Sequence, residues 1–307
     1  MAVPVVYSDR YHIDLGPHVF PTEKYRLVQA AVLAAGLVQT SDVCEPDLAG
    51  WDQLRLVHTS EYLTTLHAGG LSAEESAELQ LPWSREMVEA FRLMVGGTIT
   101  AARLACDTGS TPAGLSPVAV HLGGGLHHAF PNHGEGFCPF NDIAVAVRVL
   151  QRSGFERVAV VDLDVHHGNG TAFVFESDPR VFTFSMHQQH NYPMWKPRGS
   201  LDIGLADGTT DATYLRELER ALPKVMAHKP DCVFYLAGAD PYADDQLGGL
   251  SLTREGLCQR DRAVVECVRA SGTPLVITLA GGYARVLMDT ISIHVATVAE
   301  AVRSYGP

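Results

Sequence analysis

The stretch Val158–Gly170, which reads VAVVDLDVHHGNG, joins an apolar segment to a cluster of polar side chains. Its first half is short, apolar and β-branched with little alternation, which is typical of a strand buried on both faces of a parallel sheet. We therefore predict a strand over Val158–Val165. Asp164 and His166 are two residues apart at its end, so both side chains are expected to point the same way.

Five other segments share this short, apolar character and predict further strands: Val5–Ser8, Val118–Leu122, Val181–His187, Cys232–Asp240 and Pro274–Leu279. Helical patterns lie between them, at Glu86–Cys106, Asn141–Arg152, Ala212–His228, Arg254–Ala270 and Arg285–Ser304. The alternation of strands and helices favours an α/β fold with one doubly wound parallel sheet and helices on both faces. No linker or repeat divides the chain, so we expect a single domain over residues 1–307.

The composition limits the classes of partner. The chain has 307 residues, of which 46% are hydrophobic and 19% charged, enough to build a large core. A formal net charge of -12 argues against a basic face for nucleic acid and against docking on an anionic membrane. We find no secretory signal, no run of about 18 apolar residues and no paired spacing among the six cysteines. We therefore expect a cytoplasmic protein with reduced thiols.

Polar clusters follow four of the predicted strands. Gly123–His128 follows one strand, and Asp164 and His166 close another. Asp240 closes a third strand, and Tyr283 follows a fourth after two glycines. In open α/β sheets, ligands bind beyond the carboxyl ends of the strands. Four separate segments are therefore predicted to bring His, Asp and Tyr side chains to one edge of the sheet.

Asp164, His166 and Asp240 form a candidate metal site. Carboxylate and imidazole donors suit a borderline ion such as zinc. Three protein ligands leave a position for water and substrate, which is the arrangement of a catalytic site rather than a structural one. Gly168 follows at the spacing where a further ligand for a second ion would stand, and it has no side chain. One metal ion is therefore favoured over two.

Further polar residues fit the acid–base chemistry that amide hydrolysis needs. His127 and His128 lie in a glycine-rich turn. Each has a candidate partner that would fix its tautomer, Asp162 for the first and Asn169 for the second. Tyr283 can donate a hydrogen bond to a carbonyl oxygen as negative charge builds on it. Together these residues predict an enzyme that removes an acyl group from an amine.

The order of five motifs resembles the zinc-dependent histone deacetylase family from about Val5 to the C-terminus. The motifs are Gly124–Ala129 (GGLHHA), Gly136–Asp142 (GFCPFND), Asp162–Thr171 (DLDVHHGNGT), Ala237–Asp240 (AGAD) and Ala280–Tyr283 (AGGY). The detail resembles bacterial members close to class IV, because of His18–Pro21, the compact length and the Leu201–Leu215 segment. The resemblance implies an arginase–deacetylase fold whose parallel sheet has about eight strands.

By position, the resemblance implies two metal sites. Zinc, with iron(II) as an alternative, is implied to bind to Asp164, His166 and Asp240. A structural potassium ion is implied to bind to backbone oxygens and one hydroxyl of Asp162, Asp164, His166, Ser185 and Met186.

The resemblance also implies the roles of the catalytic residues. His128 matches the general base that later protonates the leaving amine, and Tyr283 matches the transition-state donor. His127, paired with Asp162, matches the electrostatic partner of the base. The tunnel that admits an acyl-lysine stem is implied to be lined by Gly136, Phe137, Tyr192 and Leu247. Aromatic walls suit this stem because it is apolar and its amide is uncharged.

Two positions depart from the family pattern. Asn169 stands where many eukaryotic class I members have an aspartate. A neutral amide stabilises a protonated His128 less than an anion does, so we expect His128 to stay neutral to lower pH. Leu81 lies in the segment Leu79–Ser84, where many deacetylases have an aspartate that grips the peptide backbone. Trp83 is expected to shape the rim instead.

Acyl-lysine of a protein or peptide is the substrate that the resemblance favours. An acetylpolyamine or another small N-acyl amine is the alternative, since the net charge of -12 permits a cationic substrate. Asp244 and Asp245 are expected to form a solvated turn. An alternative of another class is a protein that keeps the pocket only to bind a ligand. The sequence leaves the acyl-chain length and the oligomeric state open.

Overall fold

A computed structural model describes residues 2–106 and 118–306. The strands of this part of the chain are β1 (Val5–Val6), β2 (Val43–Cys44), β3 (Val118–His121), β4 (Val158–Asp162), β5 (Val181–Gln188), β6 (Leu201–Leu205), β7 (Cys232–Leu236) and β8 (Leu275–Thr278). They form one eight-stranded sheet in the order β2-β1-β3-β8-β7-β4-β5-β6. Every neighbouring pair is parallel. The predicted α/β fold with a parallel sheet of about eight strands is therefore confirmed.

Helices cover both faces of this sheet. Those in residues 2–106 and 118–306 are α1 (Glu23–Ala34), α2 (Trp51–Leu54), α3 (Ser60–Ala68), α4 (Ala73–Leu79), α5 (Arg85–Cys106), α6 (Asp142–Arg152), α7 (Asn169–Phe175), α8 (Asp211–Ala227), α9 (Arg254–Ser271) and α10 (Leu287–Tyr305). Strand β8 contacts both α5 and α9, and strand β5 contacts both α7 and α8. Among these described helices, none combines the length and apolar character that a membrane crossing requires.

The six strands predicted from the sequence are present, and two further strands were not predicted. Strand β2 is two residues long, which is too short to give a pattern. Strand β6 lies at the other edge of the sheet, and its residues alternate between more and less exposed positions. Continuous apolar runs are typical of strands buried on both faces, and this edge strand does not have one.

The two strands that lead to the metal-site residues are among those that end earlier than predicted. Strand β4 stops at Asp162 instead of Val165, and strand β7 stops short of Asp240. Beyond these ends, main-chain N–H groups donate to carboxylates: that of Asp164 to Oδ1 of Asp162 (3.2 Å), and that of Val165 to Oδ1 of Asp240 (2.9 Å). The metal-site residues therefore lie in turns beyond the sheet edge. Strand alternation, which was expected to align Asp164 and His166, is not what brings them together.

Candidate active site

Three side chains from the turns beyond β4 and β7 form a candidate metal site. Asp164, His166 and Asp240 each offer one ligand atom, and these atoms all lie within 4.8 Å of one another. Nδ1 of His166 is 3.0 Å from Oδ1 of Asp164 and 3.6 Å from Oδ2 of Asp240. All three residues are buried, and Oδ2 of Asp240 has no hydrogen-bond partner among the described residues. A buried carboxylate oxygen without a hydrogen-bond partner fits a cation-binding site.

The electrostatics of this cluster also favour a cation. Burial and the neighbouring Asp164 raise the pKa of Asp240 to about 7. Burial opposes a charge on His166, but Asp164 and Asp240 outweigh it and raise the pKa of His166 to about 10. The positive charge that the two carboxylates draw onto His166 is the charge that a divalent ion would supply. Gly281 keeps the position open, because a Cβ there would collide with Oδ2 of Asp240.

Two adjacent histidines lie beside the metal site, each against its own partner. Nδ1 of His127 is 2.7 Å from Oδ2 of Asp162, and Nδ1 of His128 is 2.7 Å from Oδ1 of Asn169. The two Nε2 atoms of the histidines are 3.0 Å apart. The structure thus brings together both pairs that the sequence analysis proposed.

The two histidines differ in protonation. Burial opposes a charge on His127, but Asp162 and Asp164 outweigh it and raise its pKa to about 9. Burial lowers the pKa of His128 well below its usual value, and the positive charges of His127 and His166 lower it further. A charged His127 therefore stands next to a neutral His128, which is the form that can accept a proton.

Tyr283 is fixed in place by a buried carboxylate. Its main-chain N–H donates to Oδ2 of Asp245 (2.7 Å), and Oδ1 of Asp245 accepts from the N–H groups of Leu247 (2.8 Å) and Gly248 (3.0 Å). The prediction that Asp244 and Asp245 form a solvated turn is therefore wrong for Asp245, which is 5% exposed. Burial and the neighbouring carboxylates raise the pKa of the Tyr283 phenol well above its usual value, so it keeps its proton.

An aromatic-walled cavity of about 190 Å³ leads to these residues. Its lining includes the four residues predicted for the tunnel: Gly136, Phe137, Tyr192 and Leu247. The ring of Tyr192 meets the ring of His128 edge-on at 5.0 Å, and Phe137 meets Tyr283 edge-on at 6.0 Å. The cavity is therefore lined by aromatic side chains and, where it reaches the metal site, by polar groups.

The rim differs from the prediction for Trp83. This residue is absent from the lining of the cavity; its ring packs over Gly69, and its Nε1 donates to the carbonyl oxygen of Leu66 (2.8 Å). Leu81 is 5% exposed and packs into the core. Gln80 lines the cavity instead, because its left-handed backbone (φ +56°) turns the chain at the end of α4.

Comparison with known proteins decides the family. The model of the histone deacetylase domain matches residues 18–299 of the chain. The chain belongs to the histone deacetylase family. Its catalytic activity is therefore that of a deacetylase, a hydrolase that acts on an acylated amine.

Relatives cover most of the length of this deacetylase. An uncharacterized protein of Picosynechococcus sp. is 41% identical over 297 residues, which are 96% of both chains. Histone deacetylase 2 of Arabidopsis thaliana is 32% identical over 94% of this chain and 78% of its own. The acetoin utilization protein AcuC of Bacillus subtilis is 33% identical over 81% of this chain and 68% of its own.

Solved structures share the fold of this deacetylase. A crystal structure of an HDAC homologue complexed with SAHA has a TM-score of 0.83 at 23% identity, covering 98% of this chain and 84% of that chain. The HD domain of HDA15 has a TM-score of 0.77 at 24% identity, covering 99% and 96%. These likenesses support the predicted arginase–deacetylase fold.

A buried lysine next to Tyr283 was missed by the sequence analysis. Lys24 of α1 is fully buried, and its Nζ donates to the carbonyl oxygen of Ala280 (2.9 Å). It also lies over three rings, those of Phe20, Tyr25 and Tyr283, at 5.3–5.5 Å. Burial lowers its pKa to about 8. No local pattern signals this burial, because a lysine in an amphipathic helix usually faces solvent.

A second missed residue organises the loop that carries the histidine pair. Asp142 at the start of α6 is fully buried. Its carboxylate accepts from the N–H groups of Gly125 (3.0 Å) and Leu126 (2.7 Å) and from the hydroxyl of Thr98 (2.5 Å). The loop immediately before His127 is therefore tied to a helix. Asp142 lies in one of the five sequence motifs, but its contact with the loop depends on tertiary structure.

Proposed function

We propose that this deacetylase is a zinc-dependent amidohydrolase that removes an acetyl or longer acyl group from the lysine side chain of a protein or peptide. The observation that carries the proposal is a convergence at the inner end of one aromatic-walled cavity. A metal donor set, a histidine pair and a phenol meet there. A small acylated amine, such as an acetylpolyamine, is the alternative substrate.

The donor set of Asp164, His166 and Asp240 would hold the ion. Its carboxylate and imidazole atoms suit zinc, with iron(II) as an alternative, and three ligands leave a position for water and substrate. A bound ion would polarise the amide carbonyl and lower the pKa of a coordinated water toward about 7.

The remaining steps belong to the side chains of this protein. His128 takes the proton of the attacking water and later returns it to the nitrogen of the leaving amine. His127 stays protonated against Asp162 and stabilises negative charge beside the base. Tyr283 donates its phenol proton in a hydrogen bond to the carbonyl oxygen, on which charge develops. The products are a carboxylate and the free amine.

The tunnel residues bind the rest of the substrate. Phe137 and Tyr192 flank the path to the metal site, and both present aromatic carbon to an uncharged stem. The apolar wall favours a neutral acyl-lysine over a free, charged lysine, so the product amine is released more readily than the substrate.

We also propose the structural potassium site and the single catalytic domain over residues 1–307. Asp162 and Ser185 are opposite one another in the pairing of β4 with β5, and Met186 follows on the same strand. This arrangement places three of the five residues proposed for the ion on adjacent strands.

The experiment that tests the proposal is a hydrolysis assay with defined metal content. The protein is stripped of metal and reloaded with Zn²⁺ or Fe²⁺. It is then assayed against lysine peptides with acetyl to myristoyl chains and against acetylpolyamines.

We expect zinc-dependent release of the acyl group from peptides and its loss in His128→Ala. Faster hydrolysis of acetylpolyamines than of acyl peptides would indicate a polyamine substrate instead of a peptide. Binding of these ligands without hydrolysis would indicate the non-catalytic alternative.

A further inference from the structure

A carboxylate that the proposed mechanism does not use lies behind the histidine pair. Oε1 of Glu135 accepts from Nδ2 of Asn169 (2.9 Å) and from the hydroxyl of Tyr192 (2.7 Å). Its other oxygen is 3.6 Å from Nε2 of His133. Asn169 in turn contacts His128, so Glu135 touches both the partner of the base and a wall of the tunnel.

A tight turn holds Glu135 in this position. The N–H of Cys138 donates to the carbonyl oxygen of Glu135 (2.9 Å), and the reverse bond is 3.2 Å. Both central residues, Gly136 (φ +53°) and Phe137 (φ +67°), have the positive φ of a type I′ turn. A left-handed phenylalanine is unfavourable, so the surroundings must hold it there. The turn places Phe137 in the cavity while Glu135 reaches Asn169 and Tyr192.

The side-chain amide of Asn169 can contact Glu135 in only one orientation. One end of the Asn169 side chain accepts hydrogen bonds and the other end donates them, whereas an ionised carboxylate only accepts. Burial opposes ionisation of Glu135, but the nearby His133 and the hydrogen bonds from Tyr192 and Asn169 outweigh it and lower the pKa. Nδ2 of Asn169 must therefore face Glu135, which leaves Oδ1 to face Nδ1 of His128.

The direction of the amide sets the tautomer of the base. Because Oδ1 of Asn169 can only accept, Nδ1 of His128 must carry the hydrogen, and Nε2 keeps the lone pair that takes up a proton. If the amide turned over, Nδ2 would face His128 and would favour hydrogen on Nε2, the inactive tautomer. An aspartate at position 169 would not need this control, since both of its oxygens accept.

We propose that Glu135 is a positioning residue that fixes the tautomer of His128 through Asn169 and the tunnel wall through Tyr192. The inference rests on the proposed role of His128 as general base. Asp162 and Glu135 then lie at the two ends of one run of side-chain contacts, which passes through His127, His128 and Asn169.

The first test compares two substitutions of Glu135 in the zinc-loaded enzyme. Glu135→Gln keeps an oxygen that can accept from Asn169, whereas Glu135→Met keeps the length and removes the acceptor. We expect Glu135→Met to lower kcat by about 10- to 100-fold, the range for residues that orient a functional group, and Glu135→Gln to lower it less. Tyr192→Phe measures the loss of the phenol bond alone, and its effect on kcat should be smaller than that of Glu135→Met.

The second test repeats Glu135→Gln in an Asn169→Asp background. There, two carboxylates would face each other, and the glutamine amide could donate to the new aspartate. We expect Glu135→Gln to raise kcat in this background although it lowers kcat in the wild-type background. A folding defect caused by Glu135→Gln would lower kcat in both backgrounds, so it would not produce this change of sign. Both substitutions are also nearly isosteric.

Imidazole ¹⁵N spectra of the zinc-loaded protein give a direct readout. We expect hydrogen on Nδ1 of His128 in the wild type and a mixture of tautomers in Glu135→Met.

Equal kcat in Glu135→Met and wild type, or the same effect of Glu135→Gln in both backgrounds, would overturn the inference. If this happens while the wild type hydrolyses the acyl peptide and His128→Ala does not, only the proposed role of Glu135 is refuted. If His128→Ala stays active, the proposed function itself fails.

Discussion

The main-chain N–H of Tyr283 and the buried carboxylate of Asp245 are joined by a hydrogen bond of 2.7 Å. The same carboxylate accepts from Leu247 and Gly248, so one side chain fixes both the phenol and a wall of the tunnel. We predict that Asp245→Asn lowers kcat and lowers the free energy of unfolding by about 1–3 kcal/mol. The amide has only one acceptor atom for N–H donors on two sides, which leaves at least one donor unpartnered.

Asp244→Asn is the matched control for this prediction. Asp244 is the preceding residue, its side chain is half exposed, and it lies 3.5 Å from an exposed arginine, Arg285. Urea unfolding and steady-state kinetics should place this variant close to the wild type. Equal effects of the two substitutions would refute the specific role of Asp245.

The hydroxyl of Tyr283 is the proposed donor to the carbonyl oxygen. Tyr283→Phe is expected to raise the barrier by about 3–4 kcal/mol, as for removal of other oxyanion donors. Its unfolding midpoint should stay at the wild-type value, because the ring contacts with Phe137 and Phe20 are retained. An unchanged kcat would show that the phenol does not stabilise the transition state.

The pH dependence of kcat/KM tests the neutrality of His128. Burial lowers its pKa well below the usual value of 6.5, and the positive charge of His127 lowers it further. The base acts only when neutral, so activity should fall at a pH below 6.5 as His128 gains a proton. In Asn169→Asp the anion would stabilise the protonated form and raise this pKa, which moves the acidic limb to higher pH. An acidic limb that does not move would contradict the prediction.

Gly136 is predicted to be required for the positions of the active-site rings as well as for the backbone conformation of its turn. A Cβ at this residue would lie 2.8 Å from Cδ2 of His128 and 2.9 Å from Cε1 of Tyr192. Gly136→Ala should therefore lower kcat by displacing both rings. Gly36→Ala is the control, since Gly36 has a similar backbone (φ +65°) and no atom of the described residues lies within 4 Å of its Cβ position.

Both glycine variants should lose stability because alanine is strained at positive φ, by about 1 kcal/mol. Kinetics and urea unfolding of the two variants separate the effects. A normal kcat in Gly136→Ala, or an equal loss in Gly36→Ala, would count against close packing at His128.

The sequence was informative wherever a residue followed a buried apolar strand. Asp164, Asp240 and Tyr283 were placed at one edge of the sheet because the carboxyl ends of parallel strands meet there. The strands themselves could be found because burial on both faces produces continuous apolar runs. The apolar run also predicted too long a strand β4. This strand ends at Asp162, and the main-chain N–H of Asp164 then donates to the Asp162 carboxylate in a turn that the apolar pattern does not indicate.

The supporting residues could not be predicted in this way. Asp245 and Lys24 resemble ordinary surface charges in the sequence, and only tertiary packing buries them. Glu135 has no periodic or motif signal that links it to Asn169, 34 positions later in the chain. Contacts of this kind depend on how loops from different strands meet, which local patterns do not encode.

Titration of the stripped protein with zinc, while acetyl-lysine peptide hydrolysis is followed, shows whether catalysis depends on one bound metal ion. We expect no turnover without metal and a linear recovery that ends at one zinc per chain, with no recovery in Asp240→Asn. Full activity in the stripped protein, or recovery that needs two ions per chain, would contradict a single catalytic metal held by Asp164, His166 and Asp240.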